Sequence, residues 1–387
     1  MATFLTGVTG FLGSYVAAAL LRAGETLHVL LRADGDADVE RRLWRALQLH
    51  FDAREFRERR DRIHAFRGDL TAPGLGLAPA DVDRITRTAD SFIHCAASLR
   101  RTSERACLNV NLRGTLAVLR LAQATRDRGG LRRFSHVSTV SVAGERHNET
   151  VHEDTAIDWE RRDYDAYART KKFAELLVRE LLDDVPITIF RPSIVLGDSR
   201  RPETTQFDMA RAFSFLASLP VLPLRAAGRI DIVPVNWVAE AVVRLHRAER
   251  PRHETYHLSA GTTSPTYAAL TAVLADAFGR RRPTFLPLLE RPFGGAARLV
   301  GSLGRGPIPR GAKLLDVFFP YLVYDTVFDH TRAVEELGSA PASFPDYCVE
   351  LLRFVRANGF RYPYVDEPPT AAATDTAART PPTRVAP

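Results

Sequence analysis

The stretch that decides the fold of this chain is Thr6-Gly7-Val8-Thr9-Gly10-Phe11-Leu12-Gly13. It follows a short apolar run at Phe4-Leu5 and opens a stretch with helical apolar spacing that ends near Gly24. Three glycines spaced G-x-x-G-x-x-G allow a tight turn and a close approach of backbone N–H groups to a pyrophosphate at the positive end of a helix. The segment therefore predicts dinucleotide binding, the alternative being a glycine turn that serves packing alone.

Beyond this loop, residues 1 to about 200 alternate between apolar runs and helix-like segments. The apolar runs fall at 27–31, 63–67, 91–94, 134–137 and 187–190. Strands separated by helical crossovers form a parallel sheet covered on both faces. We expect an α/β fold with a doubly wound parallel sheet over residues 1–200, with room for later segments to complete the sheet. A smaller substrate lobe over 201–366 and a disordered tail over 367–387 are expected to follow.

Composition places the chain among ordinary globular proteins. It has 387 residues, 45% hydrophobic and 26% charged, which excludes disordered, collagen-like and coiled-coil chains. Its 3 cysteines are too few for a disulfide framework and indicate a cytoplasmic protein. We see no signal peptide, no apolar run of about 18 residues, no nucleic-acid motif and no metal-ligand spacing. The net charge of +7 reflects either a coding bias towards arginine or attraction to anionic partners, such as cofactor phosphates or an acidic carrier protein.

Arg32 directly follows the apolar run at 27–31, and its charge bears on the choice of cofactor. NAD-binding chains carry an acidic residue there for the ribose 2′-hydroxyl, whereas an arginine pairs with a 2′-phosphate. We therefore expect NADP(H), with Arg41 and Arg42 as further candidate contacts; alternatively, Arg32 belongs to a solvated face. Asp69 stands just after the apolar run at 63–67. There its side chain either accepts a hydrogen bond from the adenine amino group or forms a turn.

Tyr167 and Lys171 stand four residues apart at the start of an apparent helix and so share one face. A nearby cation lowers a tyrosine pKa, because it favours the phenolate. We therefore expect Lys171 to lower the pKa of Tyr167 and to hydrogen-bond the cofactor ribose; the alternative is an exposed helix face. Upstream, three hydroxyl side chains at a strand end are each able to polarise a substrate carbonyl, and chemistry alone does not choose among them: Ser138, Thr139 and Ser141.

In this order the motifs resemble the extended short-chain dehydrogenase/reductase family, over roughly residues 1 to 340. The resemblance rests on the glycine loop, Gly68-Asp69-Leu70, His94-Cys95-Ala96-Ala97, Asn111-x-x-Gly114-Thr115, Val137-Ser138-Thr139, Tyr167-x-x-x-Lys171 and Arg191-Pro192-Ser193. It implies a Rossmann-type sheet domain, a small C-terminal substrate lobe, and catalytic Thr139, Tyr167 and Lys171, with Asn111 anchoring a water relay. The cofactor contacts expected from the residues and the resemblance together are Gly7, Thr9, Gly10, Phe11, Leu12, Gly13, Arg32, Arg42, Asp69, Leu70, Ala96, Ala97, Tyr167, Lys171, Pro192 and Ser193.

Other stretches are similar to the thioester reductase branch, which includes the reductase domains of carboxylic acid reductases and the fatty acyl-CoA reductases. They are 29–33, 68–77, 191–199 and 231–238. This resemblance implies NADPH-dependent reduction of an acyl thioester to an aldehyde or on to an alcohol, with the acyl group on a small molecule or on an acyl carrier protein. The alternatives are an oxidoreductase for ketones or alcohols of a bulky apolar or polyketide-like kind, a nucleotide-sugar epimerase or dehydratase, and a non-catalytic NADP-binding regulator.

Overall fold

The structure is a computed structural model that describes residues 1–289, 319 and 321–366. The tail expected to be disordered, 367–387, lies outside the described residues. The strands are β1 (Ala2–Thr6), β2 (Thr26–Leu31), β3 (Ile63–Arg67), β4 (Ser91–His94), β5 (Arg133–Val137), β6 (Thr150–Val151), β7 (Ile187–Pro192), β8 (Ile194–Val195), β9 (Val221–Leu222), β10 (Ile232–Val233), β11 (Thr255–Leu258), β12 (Thr284–Phe285) and β13 (Val327–Phe328). The helices are α1 (Phe11–Arg22), α2 (Asp36–Leu47), α3 (Ala53–Arg60), α4 (Pro79–Thr88), α5 (Glu104–Cys107), α6 (Gly114–Asp127), α7 (Ala166–Leu181), α8 (Phe207–Leu216), α9 (Val235–Arg247), α10 (Tyr267–Ala277), α11 (Thr331–Leu337) and α12 (Phe344–Ala357).

A seven-stranded parallel sheet organises the molecule, in the order β11-β7-β5-β4-β1-β2-β3. The chain runs outward from β1 to β2 and β3, then crosses back to β4 on the other side of β1. The strand order therefore reverses beside β1, and in open α/β sheets ligands bind at such a reversal, outside the carboxyl ends of the strands. The prediction of a doubly wound parallel sheet is confirmed.

Two apolar cores cover the two faces of this sheet. On one face, Leu5 and Val29 pack with helices α1, α2 and α9. On the other, Phe4, Phe92 and Phe134 lie side by side on β1, β4 and β5 and pack against residues of α4, α6 and α7. Neighbouring residues of β1 thus point into different cores, and this explains why the strands are continuous apolar runs rather than alternating ones.

A third apolar cluster joins α8, α10 and α12 with the short strands beyond β7. It contains large buried side chains such as Phe213, Tyr267 and Phe344. The chain does not divide cleanly near residue 200, because β11 and α9 return to the main sheet layer. Glu153 links the segment after β6 to β11 and α11. Its carboxylate accepts hydrogen bonds from the backbone N–H groups of His257 at 2.8 Å and Arg332 at 2.7 Å.

Candidate active site

The glycine loop forms a cradle that side chains would fill. Gly7 has φ +85°, and a Cβ added there would lie 2.8 Å from the nitrogen of Ala96. A Cβ at Gly13 would lie 1.9 Å from the carbonyl oxygen of Gly7. Only a glycine at position 13 therefore lets α1 pack this closely on the loop. Within the described chain no side chain caps α1 at Gly10, and its first turn holds no acidic residue. The positive end of this helix therefore fits an anionic pyrophosphate.

Buried polar contacts beneath the cradle align the ends of β1 and β4. The Thr6 hydroxyl lies 2.7 Å from Nδ1 of His94, and Nε2 of His94 lies 2.9 Å from the hydroxyl of Thr115. Burial lowers the pKa of His94 to about 3, so its ring is neutral. The backbone N–H of Ala96 donates to the Thr6 hydroxyl at 3.2 Å. These hydrogen bonds hold the backbone at Ala96 in place opposite Gly7.

A crevice of about 680 Å³ opens at the carboxyl ends of the strands. It brings together all but three of the residues that the sequence analysis assigns to the site. Its lining includes Gly7, Thr9, Gly10, Phe11, Leu12, Gly13, Arg32, Asp69, Leu70, Ala96, Ala97, Thr139, Tyr167, Lys171, Pro192 and Ser193. The three residues that do not line it are Arg41, which pairs with Asp38 on α2, Arg42 and Asn111.

The polar residues beyond β2 and β3 divide between the crevice and the helix surface. Arg32 lines the crevice. Arg42 does not, because its Nε donates to Oδ2 of Asp38 at 2.8 Å on the surface of α2. Asp69 lines the crevice, and its Oδ1 also accepts hydrogen bonds from the backbone N–H and the hydroxyl of Thr71, at 2.7 and 2.8 Å. Asp69 thus shapes a turn, as one of the two interpretations expects.

Asn111 is fully buried in a wide helical turn at Leu108–Arg113. Its Oδ1 accepts from the backbone N–H of Ser98 at 2.6 Å, and its Nδ2 donates to the Ser98 carbonyl and the Thr170 hydroxyl, both at 3.2 Å. Asn111 therefore ties the loop that follows β4 to α7. A role in a water relay stays a prediction.

Thr139 is the strand-end hydroxyl that acts on Tyr167, because its side chain helps to lower the pKa of the Tyr167 phenol and both side chains line the crevice. Ser138 has a different partner, since its hydroxyl donates to Oε1 of Glu175 at 2.5 Å. Glu175 is fully buried and paired with Arg191, whose Nη2 lies 2.7 Å from Oε2. The Ser141 hydroxyl lies 3.0 Å from that of Thr139. This geometry favours Thr139 among the three hydroxyls.

Lys171 is almost completely buried, and its Nζ donates to the Val137 carbonyl at 2.6 Å. Burial lowers the pKa of Lys171 to about 8. Burial raises the pKa of Tyr167, and the charge of Arg101 partly offsets this effect. The expectation that Lys171 lowers the pKa of Tyr167 stays a prediction. The central guanidinium carbon of Arg101 lies 4.4 Å from the centroid of the Tyr167 ring. The four-residue spacing puts Tyr167 and Lys171 in one crevice, but it does not fix where the ammonium group points.

Sequence reasoning missed several polar residues of the crevice, among them Arg101, Asp231 and Tyr321. Asp231 is half-buried, and its carboxylate accepts from the hydroxyls of Ser193 at 2.8 Å and Ser259 at 2.6 Å. Asp231 opens one of the stretches that carry the thioester reductase resemblance, so a signal for it was present. Arg101 and Tyr321 stand in no motif, and chain folding alone brings them together.

Two further properties concern the part of the chain that the structure describes. It holds no group of three or more His, Cys, Asp or Glu side chains arranged to bind a metal ion. None of its helices combines the length and the apolar character needed to cross a membrane.

Comparison with known proteins identifies the family of this chain. The profile of an NAD-binding family described as "Male sterility protein" matches residues 5–242. The chain is 29% identical over 289 residues to an isonitrile lipopeptide synthase of Mycobacterium tuberculosis, covering 66% of this chain and 11% of that protein. It is also 29% identical over 289 residues to a carboxylic acid reductase of the same organism, covering 66% and 24%. The terminal R domain of the myxalamid PKS-NRPS biosynthetic pathway superimposes with a TM-score of 0.78 at 25% identity, covering 93% of this chain and 91% of that domain.

The fold and the site define an extended short-chain dehydrogenase/reductase that binds a nicotinamide cofactor. The chain belongs to the male sterility protein family, within the thioester reductase branch. It spans only 5% to 26% of the length of the curated relatives that it matches.

Proposed function

We propose that this chain catalyses the NADPH-dependent reduction of an acyl thioester to an aldehyde, or on to an alcohol. The observation that carries the proposal is that Thr139, Tyr167 and Lys171 line the same crevice as the glycine cradle. Relatives named for carboxylic acid reduction and for lipopeptide synthesis support a carboxyl-level substrate.

The residues of the crevice fit a dinucleotide. Gly7, Gly10 and Gly13 would hold its pyrophosphate, where any Cβ at Gly7 or Gly13 would collide with backbone. Arg32 would pair with the 2′-phosphate, and this interaction is the reason to prefer NADPH over NADH. Lys171 would donate to the nicotinamide ribose. When bound, the reduced nicotinamide supplies the hydride.

Thr139 and Tyr167 act on the carbonyl oxygen. Both residues line the crevice, Thr139 just after β5 and Tyr167 near the start of α7, so we expect both hydroxyl groups to donate hydrogen bonds to one substrate oxygen as it gains negative charge. Tyr167 then gives its proton to that oxygen as a general acid. The resulting hemithioacetal breaks its C–S bond to give an aldehyde and a thiol. Overall, one thioester, one NADPH and one proton give one aldehyde, one thiol and one NADP+.

We propose that the acyl group arrives on a carrier protein or on a small thiol. The net charge of +7 favours an acidic carrier through long-range attraction. A cytoplasmic location stays a prediction from cysteine usage.

A substrate panel tests the proposal. The purified chain is mixed with NADPH and, in separate reactions, with acyl-CoA or acyl-carrier thioesters and with bulky ketones, while NADPH absorbance and free thiol are followed. With a thioester we expect one NADPH lost for each thiol released when the product is the aldehyde, and two when reduction continues to the alcohol. NADPH loss with ketones alone would favour a ketone reductase. Tight NADPH binding without consumption in any reaction would favour the non-catalytic regulator.

A further inference from the structure

The loop that follows β4 places Arg101 on the face of the Tyr167 ring, 4.4 Å from its centroid. The same guanidinium lies 4.8 Å from the centroid of Tyr321, a residue that reaches the crevice from the C-terminal part of the chain. Tyr321 stacks on Tyr164 with the ring centroids 4.4 Å apart and the planes 12° from parallel. One cation thus contacts both the candidate proton donor and a stacked aromatic pair.

Asp165 holds this cation in place. Nη1 of Arg101 donates to Oδ2 of Asp165 at 2.9 Å and to the hydroxyl of Tyr321 at 2.5 Å. The Tyr321 hydroxyl donates to the same Oδ2 at 3.0 Å. Oδ1 of Asp165 accepts from the backbone N–H of Ala168 at 2.8 Å and so caps α7, the helix that carries Tyr167. A single carboxylate therefore fixes both the helix start and the guanidinium.

We propose that Arg101 is a positioning residue for Tyr167, which holds its ring and stabilises its phenolate form, and that Asp165 opposes this charge effect. The physical reason is that a phenolate spreads negative charge into its ring, so that a cation on the ring face favours ionisation. The Lys171 ammonium donates one hydrogen bond to the Val137 carbonyl. The proposal rests on the proposed function only in taking Tyr167 as the proton donor.

The groups that face Tyr167 in the described chain act in opposite directions. Burial raises its pKa most, the charge of Arg101 and the polar side chain of Thr139 lower it, and the charges of Asp165 and Cys95 raise it. Arg101 and Asp165 are in direct contact, yet they should have opposite effects on the proton affinity of Tyr167. A merely structural role in packing the loop predicts no such opposition.

The test follows the ionisation of Tyr167 directly. The full chain is labelled with 13Cζ-tyrosine, the Tyr167 resonance is assigned by its loss in Y167F, and its pH titration is recorded with NADP+ bound. We expect R101M to move the titration up by about one pH unit, and D165N to move it down. Asn caps helices as well as Asp does, so D165N keeps the start of α7. Y321F removes the bridging hydroxyl without changing a charge and is the matched control, with little expected movement.

Shifts of the same sign in R101M and D165N, or no shift in either, would overturn the proposal. If R101M does not fold, D165N decides alone, since a downward shift supports the proposal and an upward or absent shift overturns it. The titration needs no turnover, so its result is independent of whether thioesters are reduced. Where turnover is found, the basic limb of the kcat profile should move in the same two directions.

Discussion

Replacing Gly13 by alanine should damage both the fold and cofactor binding. The added Cβ would lie 1.9 Å from the Gly7 carbonyl oxygen and 2.6 Å from its carbonyl carbon. Both are backbone atoms, so no side-chain rotation relieves the clash, and α1 must move by about 1 Å to restore an ordinary contact. Overpacking of this kind costs about 1–3 kcal/mol of unfolding free energy. A displacement of about 1 Å at a binding loop also costs about 100-fold in turnover.

Gly35→Ala is the matched control for this prediction. Gly35 has φ 179° and precedes α2, and a Cβ there would meet nothing within 4 Å. Chemical denaturation should show a change below about 0.5 kcal/mol, because a small loss at the helix cap offsets a small gain from the stiffer unfolded chain. Calorimetry should show a fall in NADPH affinity of at least tenfold for Gly13→Ala and none for Gly35→Ala. Unchanged NADPH affinity in Gly13→Ala would refute the packing argument.

Three further predictions concern catalysis, cofactor choice and pH. Tyr167→Phe should lower kcat on the order of 10²-fold or more, because the proton donor is lost; full turnover in steady-state assays would contradict this role. Arg32→Ala should raise the KM for NADPH about tenfold or more and leave that for NADH unaltered, whereas an equal change for both cofactors would place Arg32 away from the 2′-phosphate. Acid should unfold the chain, because burial lowers the pKa of four histidines to about 3 or 4, namely His28, His50, His94 and His257. The folded state then binds fewer protons than the unfolded chain, so stability is complete above about pH 6.5 and falls below it, by about 2 kcal/mol for each histidine at pH 5. Glu153, whose pKa burial raises to about 7, acts in the opposite sense and offsets about one of them. A denaturation midpoint that stays constant from pH 7 to pH 5 would contradict the histidine burial.

The parts of the site that the sequence predicted are those set by local spacing. The glycine loop, the strand that precedes it and the helix that follows are contiguous, so their geometry follows from short-range sterics. Tyr167 and Lys171 are one helical turn apart, and α7 places both in the crevice. The helix begins at Ala166, earlier than its apolar pattern starts, because Asp165 caps it.

The remainder depends on contacts between distant segments. Strand β11 completes the sheet beside β7, although more than fifty residues separate them in the chain. The Arg101–Tyr321 hydrogen bond joins residues 220 positions apart. The direction of the Lys171 ammonium depends on the Val137 carbonyl, which belongs to another element. No periodicity in the sequence encodes such contacts, so local patterns could not predict them.

Isotope transfer tests the central claim most directly. The chain is incubated with an acyl thioester and NADPH that carries deuterium on the transferred position of C4, and the product is analysed by mass spectrometry. We predict one deuterium on the aldehyde carbon for each thiol released, and almost none from Tyr167→Phe in the same time. Unlabelled product, or thiol release that proceeds at the same rate without NADPH, would contradict reduction at this site.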